Sequence, residues 1–158
     1  MTAFDIVTIP TTTLREPSRD VSIAEIQTPE FQTFLDKLVY TMYEKDGVGI
    51  AAPQVGNNIK AIVVNGTGTP ECFMNAEIIK SSTAMEDSEE GCLSVPKTYG
   101  IVRRHKKITV RAINRHGRHV EFEAKNFPGI VLQHEIDHTN GILFIDKAER
   151  IIEAGRHI

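Results

Sequence analysis

Apolar residues recur at three- and four-residue steps in one part of the chain and at two-residue steps in others. These two periods set the expected elements. Phe31, Phe34, Leu35, Leu38, Val39, Met42 and Tyr43 follow the helical period, which predicts a helix over residues 29–46 with this stripe toward the core. Thr28 offers a capping hydroxyl ahead of a proline in the first turn, and Gly47 suits the left-handed residue that ends the helix. Residues 61–65 and 72–80 read as short strands bounded by Gly, Thr and Pro. Ile108, Val110 and Ala112 alternate with Thr109 and Arg111, and Val120, Phe122 and Ala124 alternate with Glu121 and Glu123. Asn114, Arg115, His116 and Gly117 lie between them, so the pair reads as a β-hairpin. A second helix is predicted over residues 126–139, ended by Asn140 and Gly141, with a final helical piece over 146–154. Residues 142–145 fit a strand and a buried turn equally. Residues 1–26, with Pro10 and Pro17, read as an irregular arm across the surface. The set predicts an α+β fold, with antiparallel β-sheets packed around a central helix rather than alternating β-α units.

Totals narrow the picture. At 158 residues, 41% hydrophobic and 25% charged, the chain has the balance of one globular domain spanning 1–158. A formal charge of -3 makes no electrostatic case for nucleic acid or an anionic membrane as partner. Arg103, Arg104, His105, Lys106 and Lys107 form a local basic run, read as a solvated stretch leading into a strand. There is no signal- or transit-peptide pattern after Met1 and no apolar run long enough to cross a membrane. Two cysteines, Cys72 and Cys92, are too few for a disulfide framework, and a cytoplasmic location is expected.

Three segments carry candidate chemistry. His134 and His138 lie four apart on the second helix and so share a face, where both imidazoles reach one ion; Glu135 sits beside them as a base. Such HExxH helices need a third ligand. One class of zinc proteases places a histidine six residues after the second, but here that position is Phe144. Another uses a later glutamate, and Glu149 and Glu153 keep that option open. Cys92 is the better answer, since a thiolate binds borderline divalent ions strongly. Cys72 has no such context and reads as core. The segment at 47–56 has paired glycines and alanines that let another backbone approach, as for a peptide added as a strand; taken without the other two segments, it reads better as a helix cap with a tight packing turn. Gln54 in that segment suits an amide donor to a developing oxyanion.

Taken together, the Gly-Ile-Ala-Ala-Pro-Gln segment at 49–54, Glu-Gly-Cys-Leu-Ser at 90–94 and Gln-His-Glu-Ile-Asp-His at 133–138 resemble the peptide deformylases. Pro10, Leu14 and Arg15 resemble that family's N-terminal arm. The resemblance implies a hydrolase of protein biosynthesis that removes the formyl group from N-terminal formylmethionine and releases formate. It implies Cys92, His134 and His138 as ligands of one divalent metal ion. Fe(II) would be native, with Zn(II), Ni(II) or Co(II) able to substitute. A metal-bound hydroxide would attack the formyl carbon, with Glu135 as general acid and base. The Gln54 side chain and the Leu93 backbone N–H would hold the oxyanion. The formylmethionyl peptide would lie along Gly47, Val48 and Gly49, its methionine side chain among Val48, Phe127, Ile130 and Val131. Asp46 and Arg104 occupy places that pair in the family.

Thr139 and Ala76 depart from the family's usual leucine and proline, away from the proposed chemistry. The chain ends 20 residues after His138, whereas some bacterial relatives dock to the ribosome through a longer extension, so ribosome association is left open. Two other readings remain at this stage, a general zinc protease and a deformylase-like binding module without activity. The first lacks its third histidine. The second is expected to have lost a ligand, Glu135 or Gln54, and all are present.

Overall fold

The computed structural model describes residues 1–66, 68–152 and 156–158. Helix α1 (Ile23–Ile26) is a single turn capped by the Ser22 hydroxyl. Helix α2 (Pro29–Glu44) begins as expected, with the Thr28 hydroxyl accepting from the Phe31 N–H and a proline in the first turn. Phe31, Leu35, Leu38 and Met42 are buried, and Phe34 and Val39 pack half-buried against the same core. Tyr43 departs from the expected stripe and is 48% exposed. Thr41 is buried instead, its hydroxyl donating to the Lys37 carbonyl and accepting from the Phe4 N–H. The helix also stops before Asp46. The left-handed residue is Asp46 (φ 57°), not Gly47, a conformation that aspartate tolerates better than most side chains.

Strands β1 (Gly49–Ala51), β2 (Ala61–Val64) and β3 (Glu71–Ser81) open the first sheet. All four residues of β2 are buried because the strand is covered on both faces. Ala61 and Val63 join the core under α2, whereas Ile62 and Val64 join a second core with Ile130, Val131, Leu132 and Ile136. Asn75 sits at a positive φ within β3 and holds the Val21 backbone N–H and C=O with its side-chain amide, both at 2.8 Å. The N-terminal arm is therefore not merely superficial: Leu14, Val21 and Ile26 are buried.

The second sheet was largely illegible in the pattern. Strands β4 (Met85–Cys92) and β5 (Val95–His105) form a long antiparallel hairpin with a two-residue turn, Leu93 and Ser94. Arg104, expected in solvent, is 2% exposed and paired with two carboxylates. Strands β6 (Lys107–Asn114) and β7 (His119–Lys125) form the anticipated hairpin and complete the five-stranded sheet in the order β1-β2-β3-β6-β7. The Asn114 side chain accepts from the His116 and Arg118 N–H groups to close its turn.

Helix α3 (Asn126–Thr139) packs between the sheets against β1, β2, β5 and β7, and is buried continuously from Gly129 to Thr139. After it, α4 (Phe144–Lys147) is one turn, and residues expected to stay helical instead form β8 (Ala148–Ile152). Pairing with β5 overrides local helical preference there. Glu153 and Ala154, the rest of that expected helix, lie outside the described residues. A last strand, β9 (Arg156–His157), runs parallel to β4, giving the order β8-β5-β4-β9. The architecture is α+β. Among the described residues, no helix is long and apolar enough to cross a membrane.

Candidate metal centre

A helix buried on every side must satisfy each polar group it carries, and α3 carries several. Gln133 ties it to β5: its Oε1 accepts from the His105 N–H at 2.9 Å and its Nε2 donates to the His105 carbonyl at 3.0 Å. His134 Nδ1 lies 2.9 Å from Glu90 Oε1, which keeps the proton on Nδ1 and turns Nε2 away as a bare acceptor. His138, one turn later, places Nε2 3.4 Å from Cys92 Sγ at the end of β4. The ligand atoms of Cys92, His134 and His138 all lie within 4.8 Å of one another, and all three residues are buried.

Four polar atoms here lack protein partners among the described residues. His134 Nε2, His138 Nδ1 and both carboxylate oxygens of Glu135 are buried without a hydrogen bond among the described residues. Leaving such atoms dry and unpaired typically costs about 1–3 kcal/mol each, so the cluster is built for something that binds there. A soft thiolate with two imidazoles suits a borderline divalent cation, and the donor set and bare atoms fit one.

Electrostatics agree with that chemistry. Burial holds the Glu135 carboxyl well above the usual carboxylate range, and the nearby Glu90 charge adds to this. Burial likewise pushes His138 well below the ordinary imidazole value, so it stays neutral as a ligand must. The Cys92 thiol is pushed up to about 12 by burial, so the protein alone does not make it a thiolate. A cation beside the sulfur would reverse that, with release of the proton. Burial also acts to raise Glu90, but the Arg104 guanidinium and His134 outweigh it and bring its carboxyl down to about 2.

Arg104 anchors this arrangement. It donates to both oxygens of Glu90 at 2.7 and 2.9 Å and to Asp137 Oδ2 at 2.8 Å, and Lys147 reaches Asp137 from the surface at 3.0 Å. Its partners are therefore Glu90 and Asp137, not the Asp46 suggested by resemblance. Asp137 and Lys147 were missed in the sequence, although Asp137 stands between the two histidines. Phe144, at the position where a protease would have its third histidine, stacks on the His134 ring at 6.3 Å. Glu149 is exposed on β8, away from the cluster, and Glu153 lies outside the described residues.

Gln54 is fully buried in a short turn that follows β1. Its Oε1 accepts from the Ala51 N–H at 3.0 Å, which points Nε2 toward Cys92 Sγ at 3.5 Å and Ser94 Oγ at 3.3 Å. Leu93 is half-buried in the adjoining β4–β5 turn. A Cβ on Gly47 would stand 3.5 Å from Leu93 Cδ1, so the glycine segment borders this turn. Of the apolar residues expected to meet a substrate, Phe127 and Ile130 line a cleft of ≈ 440 Å³. Val131 is fully buried beneath Gly49, and Val48 packs half-buried against the same core.

Residues 3–153 match the family model of polypeptide deformylase. The chain is 43% identical over 157 residues to the peptide deformylase of Carboxydothermus hydrogenoformans, covering 99% of this chain and 100% of that one. A peptide deformylase of Fusobacterium nucleatum is also 43% identical, over 144 residues that cover 88% of this chain and 82% of the relative. Among solved structures, the peptide deformylase of Thermotoga maritima superposes with a TM-score of 0.90 at 33% identity, covering 95% of this chain and 100% of that one. A Met-Ala-Ser-bound class I type b peptide deformylase from Acinetobacter baumannii superposes at 0.88 with 33% identity, covering 92% and 98%.

Proposed function

The chain belongs to the polypeptide deformylase family, and on that premise we propose that it removes the formyl group from N-terminal formylmethionine of newly made polypeptides, releasing formate. Cys92, His134 and His138 hold one divalent ion. The observation that carries this reading is a buried cluster with bare polar atoms: two imidazoles and a thiol converge within 4.8 Å, beside a carboxyl whose oxygens have no hydrogen bond among the described residues.

When bound, the ion supplies the charge that makes a water nucleophilic near neutral pH. The chain's own residues do the rest. Glu135 takes the proton of the attacking water and delivers one to the departing amine, a role suited to a carboxyl that burial keeps ready to hold a proton. Glu90, fixed by Arg104, keeps the His134 ring oriented. The Gln54 amide and the Leu93 N–H stabilise the oxyanion, and losing one such donor costs roughly 3 kcal/mol of barrier. The peptide pairs along Gly47, Val48 and Gly49, next to the open edge of β1. Phe127 and Ile130 receive the methionine side chain, with Val48 and Val131 packed behind the strand. The Met-Ala-Ser-bound Acinetobacter baumannii relative supports a peptide as the ligand. Fe(II) is the native metal in this reading, with Zn(II), Ni(II) or Co(II) able to substitute, and two free cysteines are in keeping with the reducing cytoplasm.

The test is formate release from formyl-Met-Ala-Ser by protein prepared anaerobically with Fe(II), beside an unformylated control. Formate with the peptide bonds intact is expected. No formate from folded, fully metallated protein would shift the reading to the binding module.

A further inference from the structure

The cleft beside the candidate centre has two unlike walls. Helix α3 contributes Phe127 and Ile130, with Asn126 at its start, while β4 contributes Glu86, Asp87, Ser88 and Glu89. Ser88 is 8% exposed, and its hydroxyl has no hydrogen-bond partner among the described residues. Side chains alternate along a strand, so Glu86 and Ser88 share the face of β4 on which Glu90 meets His134.

Glu86 is half-buried and makes no ion pair among the described residues. Arg104 stands opposite it in the ladder but directs its guanidinium to Glu90 and Asp137. Asp87, by contrast, is met by Arg103 at 3.8 Å. A carboxylate without a counter-ion and a hydroxyl without a partner, both among the described residues, thus line one cleft whose opposite wall is Phe127 and Ile130.

Their order matters. Ile130 lies one helical turn, roughly 6 Å, before His134. Glu86 lies two strand residues, roughly 7 Å, beyond Ser88 on the side away from Cys92. A side chain entering from the centre passes Ile130 and Ser88 first and reaches Glu86 with its tip.

We propose that this pocket accepts, besides methionine, a first residue with an unbranched apolar stem and a cationic tip, lysine above all, with Glu86 receiving the ammonium and Ser88 contacting the end of the stem. This rests on the deformylase reading and adds a substrate class to it. The reaction is unchanged: water adds across the formyl C–N bond, formate leaves, and the peptide amine takes the proton.

The experiment compares kcat/KM for formyl-Met-Ala-Ser, formyl-norleucine-Ala-Ser and formyl-Lys-Ala-Ser on the Fe(II)-loaded protein and on its Glu86→Gln variant. Norleucine matches the stem without the charge. The lysine peptide is expected within about tenfold of the norleucine peptide, where a wholly apolar pocket would reject an ammonium far more strongly. Glu86→Gln is expected to lower the lysine-to-norleucine ratio by about fivefold at low salt, and added salt to lower it in the parent protein. A lysine peptide about 100-fold or more behind norleucine, or a ratio indifferent to both Glu86→Gln and salt, would overturn the proposal. If formyl-Met-Ala-Ser is hydrolysed while lysine is rejected, only this inference fails. If formyl-Met-Ala-Ser is not hydrolysed, the deformylase reading fails with it.

Discussion

The carboxylate of Glu135 fills the place that a side chain on Gly49 would take. A Cβ at Gly49 would stand 2.5 Å from Glu135 Oε2 and 2.9 Å from Val131 Cγ1. Gly49 opens β1 and Glu135 lies on α3, so this contact sets how closely the edge strand approaches the acid. The glycine is required by proximity and not by a turn, because its φ is not positive.

Gly49→Ala is therefore expected to displace the Glu135 carboxylate. A shift of about 1 Å at a catalytic group can cost on the order of 100-fold in turnover. Steady-state kinetics at verified metal occupancy checks this, and an alanine variant with parental kcat/KM would refute the crowding.

Glu135→Gln is expected to keep the ion, yet lose roughly 100- to 10,000-fold in turnover. Near neutral pH the metal-free variant should melt higher than the metal-free parent, because burial raises the Glu135 carboxyl and folding must protonate it. Elemental analysis with formate release separates binding from chemistry. An active Glu135→Gln would sink the assigned role.

Cys92→Ala is expected to lose tight metal binding and activity together. Chelation of the parent should also lower its melting temperature, because ion binding stabilises only the folded state and leaves His134 Nε2 bare when lost. A chelated protein with unchanged melting temperature would count against a metal at this cluster.

Arg104→Met removes the cation between Glu90 and Asp137, both of them buried. Stranding two carboxylates in this way is expected to cost about 3–5 kcal/mol. Adding Glu90→Gln and Asp137→Asn should recover much of it in urea unfolding, since the stranded charges are then gone. No recovery would assign the loss to packing.

Asp146 binds Arg15 and accepts from the Leu143 N–H, tying the N-terminal arm to α4. Burial acts to raise its carboxyl, but Arg15 and that N–H bring it below its ordinary 3.8. A depressed carboxyl stabilises the fold above its unfolded value and loses that contribution as pH falls through the lower folded value. The side chains are 45% and 37% exposed, so the effect is held to under about 1 kcal/mol. Asp146→Asn should lower stability slightly at pH 7, with the difference closing once the pH falls below the depressed folded value. A difference that persists there would show the contact is not electrostatic.

Elements with a clean period were legible in the sequence. Leu35, Leu38 and Met42 mark α2, and Val110 and Phe122 mark the β6–β7 hairpin. The β4–β5 hairpin was not, because its inward positions include Glu86, Ser88, Glu90 and Arg104, where a half-buried strand is expected to show apolar residues. The same ion pairs that hid the strands make Arg104 a buried residue in a run that reads as solvated.

The sequence by itself determined that His134, Glu135 and His138 share a helix and that the histidines face one way, since helical geometry over four residues is local. It also determined, through motif order, the family and the candidate ligand Cys92. Only the tertiary structure decided that Glu90, 44 residues from His134, orients its ring. It likewise paired Arg104 with Asp137 instead of Asp46, and brought Ser88 and Glu86 to face Ile130. Such pairings depend on which charges are buried together and on strand register, quantities set by the whole packed chain and absent from any local pattern.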